Sequence, residues 1–176
     1  MKLYFKETQE PDSNVYSLYK KAFPKNERVP FEDLDLLPGS HLYGIYTDSE
    51  YTQFAGMIDI LDYKGICQVR YLATDDSLRG QGIGSKILDW VKENWKDSII
   101  CIDVESDRVP CDNLEQRLRR KAFYHRNGFE DSEDSYRWNG DVFDLLVANG
   151  PMKKGTYVEL WKELFTILKA QKAKQN

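Results

Sequence analysis

Residues 66–84 read Ile-Cys-Gln-Val-Arg-Tyr-Leu-Ala-Thr-Asp-Asp-Ser-Leu-Arg-Gly-Gln-Gly-Ile-Gly, and this stretch decides the fold. Its mostly apolar first part predicts a β-strand over 66–74. Alternating glycines then lead into a helix with apolar residues at four-residue steps: Ile83, Ile87, Val91 and Trp95. A second strand-like run follows at 98–105. Because a strand, a glycine loop, a helix and a strand form a βαβ unit, we expect two parallel, neighbouring strands.

The segments on either side predict further elements around the same sheet. Upstream we expect a strand at 2–6, a helix capped at Asp12-Ser13, and a hairpin of strands at 41–46 and 53–60. Downstream we expect a helix over 114–126, a hairpin across Asn139-Gly140, and an amphipathic helix over about 156–173. The pattern predicts one α/β (α+β) domain over residues 1–176. Its single mixed, mostly antiparallel sheet has one central parallel pair and flanking helices.

The composition excludes several classes of protein. The chain carries 25 basic and 29 acidic residues, without the basic excess of a dedicated nucleic-acid-binding protein. No apolar run approaches the roughly 18–20 residues of a membrane span, and the charged first ten residues lack the apolar segment of a signal peptide. Three cysteines and two histidines, without a Cys-x-x-Cys spacing, predict neither a disulfide framework nor a metal site. We therefore expect a cytoplasmic protein without nucleic-acid, membrane or metal partners.

The glycine loop itself predicts a phosphate site. Gly80, Gly82 and Gly84 leave backbone N–H groups unshielded at the positive end of a helix dipole. A P-loop requires Gly-Lys-Ser/Thr, whereas this chain has Gly-Ser-Lys at 84–86. A dinucleotide fingerprint requires Gly-x-Gly-x-x-Gly, which the loop also lacks, although Asp103 lies about 20 residues on, where a ribose-binding acid would stand. Dinucleotide binding therefore stays an alternative.

Two motifs in this part of the chain resemble those of the GNAT (GCN5-related) N-acetyltransferases. Residues 79–84 are similar to the family signature R/Q-x-x-G-x-G/A, and residues 124–129 resemble its downstream Tyr-x-x-x-Gly-Phe segment. The resemblance covers about residues 1–150 and is strongest over the motif core, 66–130. It implies an acyl-CoA-dependent N-acetyltransferase that moves an acetyl group from acetyl-CoA directly to an amine within a ternary complex.

The resemblance also implies roles for individual residues. The family's fourth and fifth strands splay apart, and the pantetheine arm would bind there to Leu72, Ala73 and Thr74. The pyrophosphate would be bound by the loop residues Arg79, Gly80, Gln81, Gly82, Ile83, Gly84 and Ser85. Tyr124 matches the tyrosine that protonates the departing thiolate, a role that suits a phenol with a pKa near ~10. The alternative for Tyr124 is an aromatic side chain packed between helix and sheet.

The general base is where this chain departs from the family pattern. Many relatives carry a glutamate on the fourth strand, where this chain has Arg70. We expect Glu105 to take the amine proton, because it lies at the carboxyl end of the fifth strand, with Asp103 on the same face. Alternatively both carboxylates are solvated or bind Arg70. Arg70 itself contacts an acidic substrate group or, more commonly, satisfies a neighbouring carboxylate.

The sequence does not identify the acceptor, which is a small-molecule amine or a protein. Two other functions stay open: a coenzyme A-binding module without catalysis and a dinucleotide-binding oxidoreductase. The long segment 106–113 lines the acceptor site or is a surface insertion. The aromatic face of the last helix packs within the chain or against a second subunit of a homodimer, and we expect the former.

Overall fold

The computed structural model describes residues 1–8 and 13–175. The strands are β1 (Tyr4–Glu7), β2 (Ser40–Tyr46), β3 (Phe54–Tyr63), β4 (Ile66–Thr74), β5 (Ile99–Glu105), β6 (Glu130–Trp138) and β7 (Asp141–Ala148). The helices are α1 (Ser13–Ala22), α2 (Ile83–Asn94), α3 (Leu114–Arg126) and α4 (Thr156–Gln175). Short 3₁₀ turns lie at Phe31–Asp33 and Asp76–Leu78. Of the predicted cap of α1, Asp12 lies outside the described residues.

The strands form one sheet in the order β1-β2-β3-β4-β5-β7-β6. Its neighbours are antiparallel except β4 and β5, which run parallel from the pair Ile66–Ile99 to the pair Val69–Ile102. The expected mixed, mostly antiparallel sheet with a central βαβ unit is therefore confirmed.

Helices cover both faces of this sheet. On one face α2 and α3 pack on β3, β4, β5 and β7, and the stripe of Ile83, Ile87 and Val91 is buried there as its spacing predicts. On the other face α1 and α4 pack on different halves of the sheet. Tyr157, Leu160 and Leu164 of α4 are buried in that second core, as expected for a helix that packs within the chain. Within the described part of the chain, no helix is long and apolar enough to cross a membrane.

A β-bulge in β4 lies at the point where its pairing with β5 ends. The register between β3 and β4 changes from the pair Asp59–Tyr71 to the pair Ile60–Val69, so Arg70 is the extra residue. A bulge bends its strand and disrupts the ladder locally. Pairing with β5 ends at Val69, immediately before the bulge. The remainder of β4 therefore diverges from β5, and a gap opens in the middle of the sheet.

Candidate active site

A cleft of about 980 Å³ lies where β4 and β5 diverge. Leu72, Ala73 and Thr74 line it from β4, Glu105 lines it from β5, and Tyr124 lines it from α3. Further walls come from the segment between α1 and β2, the β6–β7 hairpin and α4. Because the pairing of β4 with β5 ends at Val69, the backbone edge of β4 beyond that residue faces the gap rather than a strand. This edge is where the resemblance places the pantetheine arm.

The glycine loop follows Arg79, which lines the cleft, and leads into α2. Gly80 and Gly82 have φ values of +78° and +74°, a left-handed conformation that glycine adopts at little cost. Gly82 is the N-cap of α2 without a side-chain cap, so the first N–H groups of the helix stay available to an anion. A Cβ at Gly84 would lie 3.0 Å from Phe123 Cζ, so the close packing of α2 and α3 requires a small residue there.

The seven predicted loop residues differ in the groups that they can offer to a phosphate. Arg79 lines the cleft, and its guanidinium pairs with Asp76 at 2.5 Å. Ile83 is only 2% exposed and belongs to the core, so its backbone N–H is all it can contribute. The others surround the start of α2 outside the cleft lining: Gly80, Gln81, Gly82, Gly84 and Ser85.

Tyr124 packs in the core and also lines the cleft, so its predicted role as general acid stays a prediction. Its ring packs beside Phe129 in the core, with ring centroids 5.9 Å apart, while the residue also lines the cleft. No group in the described residues forms a hydrogen bond with its hydroxyl. Burial raises the pKa of Tyr124 to about 12, with a smaller opposing effect from Arg120. The hydroxyl therefore holds its proton at neutral pH and can donate it to a ligand.

Glu105 is held by two arginines. Its oxygens lie 3.0 Å from Arg117 Nη2 and 3.1 Å from Arg120 Nη1, and its side chain is only 10% exposed. It is therefore neither solvated nor bound to Arg70.

Asp103, two residues earlier on β5, accepts hydrogen bonds from neutral groups. Gln68 Nε2 donates to its Oδ1 at 3.3 Å, and the Tyr136 hydroxyl donates to its Oδ2. Among the described residues, no Lys, Arg or His pairs with it. Burial raises the pKa of the Asp103 carboxyl. Asp103 is thus a carboxylate that lines the cleft without a countercharge.

Arg70 satisfies a neighbouring carboxylate, as strand arginines commonly do. Its Nε and Nη2 donate to the two oxygens of Asp59 at 2.6 and 2.9 Å, and Nη2 also donates to the Leu34 carbonyl at 2.6 Å. The Asp59 side chain is completely buried. Asp59 was not predicted as the partner of Arg70, although a lone acid within the apolar run 54–61 signals a buried partner.

A chain of hydrogen-bonded polar side chains on the side of the cleft that α4 forms was not predicted either. Trp161 Nε1 donates to Gln68 Oε1 at 3.0 Å, and Gln68 Nε2 donates to the Tyr157 hydroxyl at 2.9 Å as well as to Asp103. Glu27, from the segment after α1, was missed as well. Burial, and then the Glu105 carboxylate, raise the pKa of Glu27.

The segment 106–113 contributes little to the cleft. Arg108 bonds Asp144 on β7, and Arg117 Nη1 donates to the Ser106 carbonyl at 2.8 Å, which fixes the segment to β7 and α3. Of this segment, Asn113 lines the cleft.

The comparisons with known proteins agree with this geometry. A family model described as an acetyltransferase (GNAT) domain matches residues 38–131. A protein from Bacteroides thetaiotaomicron assigned to the GNAT acetyltransferases superposes with a TM-score of 0.71 and 26% identity, over 88% of this chain and 89% of that one. A search of curated protein sequences finds no match.

Two more distant solved structures share the fold. An acetyltransferase from Bacillus subtilis in complex with CoA has a TM-score of 0.59 and 16% identity, over 83% of this chain and 97% of that one. The ribosomal-protein-S18-alanine N-acetyltransferase from Escherichia coli has a TM-score of 0.57 and 11% identity, over 88% and 98%.

Proposed function

The chain belongs to the GNAT acetyltransferase family and is an acyl-CoA-dependent N-acyltransferase, and from this premise we propose that Tyr124 and Asp103 carry an acetyl transfer to a small amine. The observation that carries the proposal is the gap between β4 and β5. Arg79, shortly before the uncapped start of α2, lines the cleft in this gap, and so do Tyr124 and Asp103, a carboxylate without a countercharge.

The cosubstrate we propose is acetyl-CoA, which would supply the acetyl group as a thioester. The N–H groups at the start of α2 fit its pyrophosphate, because no side chain caps them and the first turn carries no acidic residue. The open edge of β4 at 72–74 offers backbone groups to the amides of the pantetheine arm. The Bacillus subtilis structure, a complex with CoA, supports the same cofactor class.

Tyr124 is the proposed general acid. Departure of the thiol requires a proton on sulfur, and the Tyr124 hydroxyl holds one because burial keeps its pKa about 12. Since none of the described residues bonds this hydroxyl, it can point its proton at the sulfur. The side chain of Phe129 packs beside the ring and fixes its position.

Asp103 is the proposed base in preference to Glu105. An amine attacks only after losing its ammonium proton, which a carboxylate beside it can accept. Burial raises the pKa of Asp103, so it accepts a proton more readily than a solvated aspartate. The oxygens of Glu105 are already occupied by Arg117 and Arg120, so its predicted role as base stays a prediction with weaker support. Glu105 suits another role, which is to position Arg120 near Tyr124.

Replacing Tyr124 tests the proposal. Tyr124→Phe removes only the hydroxyl, and we expect kcat to fall about 100-fold or more at saturating substrates, because positioned acids contribute roughly that much. Release of the CoA thiol, with the best amine of a broad panel, measures the rate. Tyr51→Phe, an exposed tyrosine outside the cleft, is the matched control and should retain full activity. An unchanged kcat in Tyr124→Phe would remove Tyr124 from the mechanism.

An acceptor-independent measurement tests the cosubstrate. At about 100-fold above its dissociation constant, acetyl-CoA should stabilise the protein by ~2.7 kcal/mol, which is a rise in thermal midpoint of roughly 5–10 °C. Both the wild type and Tyr124→Phe should show this rise, and NAD should produce none. A rise with NAD alone would contradict the proposal.

A further inference from the structure

The mouth of the cleft opposite the glycine loop is closed into a ring. The hairpin side chain Asn139 donates to the Asn26 carbonyl at 2.8 Å, which joins the β6–β7 turn to the segment after α1. Trp138 stacks on Phe165 with ring centroids 6.0 Å apart, which joins the hairpin to α4. Lys172 near the end of α4 pairs with Asp33 at 2.5 Å, which completes the ring. An opening bounded on all sides by one chain favours a small acceptor over a protein surface.

Aromatic side chains line this part of the cleft, and we call them the aromatic wall. The wall consists of Tyr136, Trp138 and Phe143 from β6 and β7, and Tyr157, Trp161 and Phe165 from α4. Successive rings lie close together: Tyr136 is 5.3 Å from Phe143 and 5.2 Å from Tyr157, and Trp161 is 5.2 Å from Phe165. Such a surface favours a flat apolar body over a polar one, because offset and edge-on rings attract each other.

Most polar atoms of the aromatic wall are already used within the protein, and the Trp138 indole N–H at the exposed rim is the one without a partner among the described residues. The Trp161 indole N–H is bound by Gln68, the Gln68 amide by Tyr157 and Asp103, and the Tyr136 hydroxyl by Asp103. A sugar-like acceptor with many hydroxyls would find few free partners there, and its buried hydroxyls would lose their hydrogen bonds with water. The ring faces and the Asp103 carboxylate are the main groups that the wall offers to a ligand.

The electrostatics at the inner end of the wall favour a cation. Asp103 has no cationic partner in the described part of the chain, and the same holds for Glu27, which also lines the cleft. Two of the arginines that line the cleft, Arg70 and Arg120, are paired with Asp59 and Glu105. An ammonium group at Asp103 would gain a charge-assisted hydrogen bond, and the neighbouring rings would attract it as well.

We propose that the aromatic wall binds the acceptor and selects a small arylalkyl primary amine, with its ring against Trp138, Trp161 and Phe165 and its ammonium nitrogen at Asp103. This inference rests on the acetyltransferase function proposed above and names the substrate class of the same cleft. Phe165 and Trp161 lie on α4, beyond residues 38–131 that the family model matches, so the shared family pattern does not supply this wall.

An acceptor panel tests the substrate class. 2-Phenylethylamine, glucosamine and a short peptide beginning with alanine are compared at saturating acetyl-CoA. We expect kcat/KM for 2-phenylethylamine to exceed those of the other two by about 10-fold or more, equivalent to the ~1.4 kcal/mol that one or two aromatic contacts provide. A glucosamine or peptide rate equal to or above that of 2-phenylethylamine would overturn the inference.

Substitution at the rim of the wall tests its part in selection. Phe165→Ala should raise KM for 2-phenylethylamine about 3- to 10-fold with little change in kcat, because it removes a ring that packs on the acceptor but takes no proton. Phe165 is 38% exposed, so the variant should fold, and Phe165→Tyr should restore most of the affinity. Leu118→Ala, an exposed side chain on α3 outside the cleft, is the control and should leave KM unchanged. Equal effects of Phe165→Ala on all three acceptors would overturn the inference.

Direct binding separates this inference from the proposed function. Calorimetric titration of 2-phenylethylamine into the CoA-saturated protein should show binding that Phe165→Ala weakens. If acetyl-CoA stabilises the protein but the amine does not bind at millimolar concentration, the inference fails and the acetyltransferase function stands. If acetyl-CoA itself does not stabilise the protein, the proposed function fails.

Discussion

The cleft has two halves that are built in different ways. The cofactor half consists of β4, the glycine loop, α2 and α3, and it offers mainly backbone groups that a local sequence pattern places. The acceptor half consists of the segment 24–37, the hairpin around Asn139, and α4, and it offers side chains from distant parts of the chain. The difference shows how a common cofactor site can be joined to an acceptor site particular to one chain. Backbone donors tolerate sequence change around them, whereas side-chain contacts define one ligand.

Arg70 lies at the junction of these halves. It is the bulged residue where β4 leaves β5, and its guanidinium joins Asp59 in the sheet to the Leu34 carbonyl in the acceptor half. The family resemblance implied a glutamate at this strand position. Here Arg70 forms a buried ion pair with Asp59, and Asp103 on β5 is a cleft carboxylate without a cationic partner among the described residues.

The largest effect should follow from breaking this junction. Arg70→Met leaves Asp59 buried without its partner, and we expect a loss of about 3–5 kcal/mol in unfolding free energy, measured by denaturant titration. The double variant Asp59→Leu/Arg70→Met removes both charges and should recover most of that loss. A single variant within ~1 kcal/mol of wild type would show that the junction does not hold the two halves together.

A smaller effect, confined to catalysis, is expected from replacing the proposed base. Asp103→Asn should lower kcat/KM about 100-fold while acetyl-CoA binding is unchanged. In the wild type, kcat/KM should fall as the pH decreases through the pKa of Asp103, which burial raises from 3.8, because the protonated carboxyl cannot accept a proton. In Asp103→Asn, kcat/KM should not show this fall at acidic pH. If Glu105→Gln rather than Asp103→Asn abolishes the fall of kcat/KM at acidic pH, Glu105 is the base after all.

The smallest of these effects concerns the cofactor half. Gly82→Val places a β-branched side chain at a φ of +74° and in open space in front of the first amides of α2. We expect acetyl-CoA to bind about 10-fold more weakly, equivalent to ~1.4 kcal/mol, since the added side chain obstructs the first amides of α2. Gly65→Val is a matched control, because Gly65 has a φ of +76° and equally open space but lies in the β3–β4 turn. Calorimetric titration should separate the two, and equal affinities would remove the loop from the site.

Local patterns predicted most of the fold. The strand at 66–74 and the helix at 114–126 have the bounds expected for them, and α2 buries the stripe that its four-residue steps indicate. These elements are predictable because periodicity and turn residues act over a few positions. The last helix was expected at about 156–173 and extends to Gln175. The parallel pairing of β4 and β5 followed from the handedness and spacing of a βαβ unit.

The candidate site was predictable only in part. Tyr124, the glycine loop and the edge of β4 come from motifs that are contiguous in the chain, and the structure brings them to one cleft or its border. The partners of Glu105 and Arg70 were not predictable, because Arg117 and Asp59 reach them from other elements at distances that only packing sets.

The sequence alone determined the elements, the cofactor motif and the family resemblance, because these depend on short-range periodicity and on glycines that permit a particular backbone. Only the tertiary structure decided which carboxylate has no cationic partner and which side chains lie beside it. Asp103 and Glu105 differ by two residues on one strand and look alike in sequence. Two arginines from α3 pair with Glu105, whereas neutral groups from β4 and β6 donate hydrogen bonds to Asp103. The helix α4 folds back across the sheet and places its aromatic side chains beside Asp103.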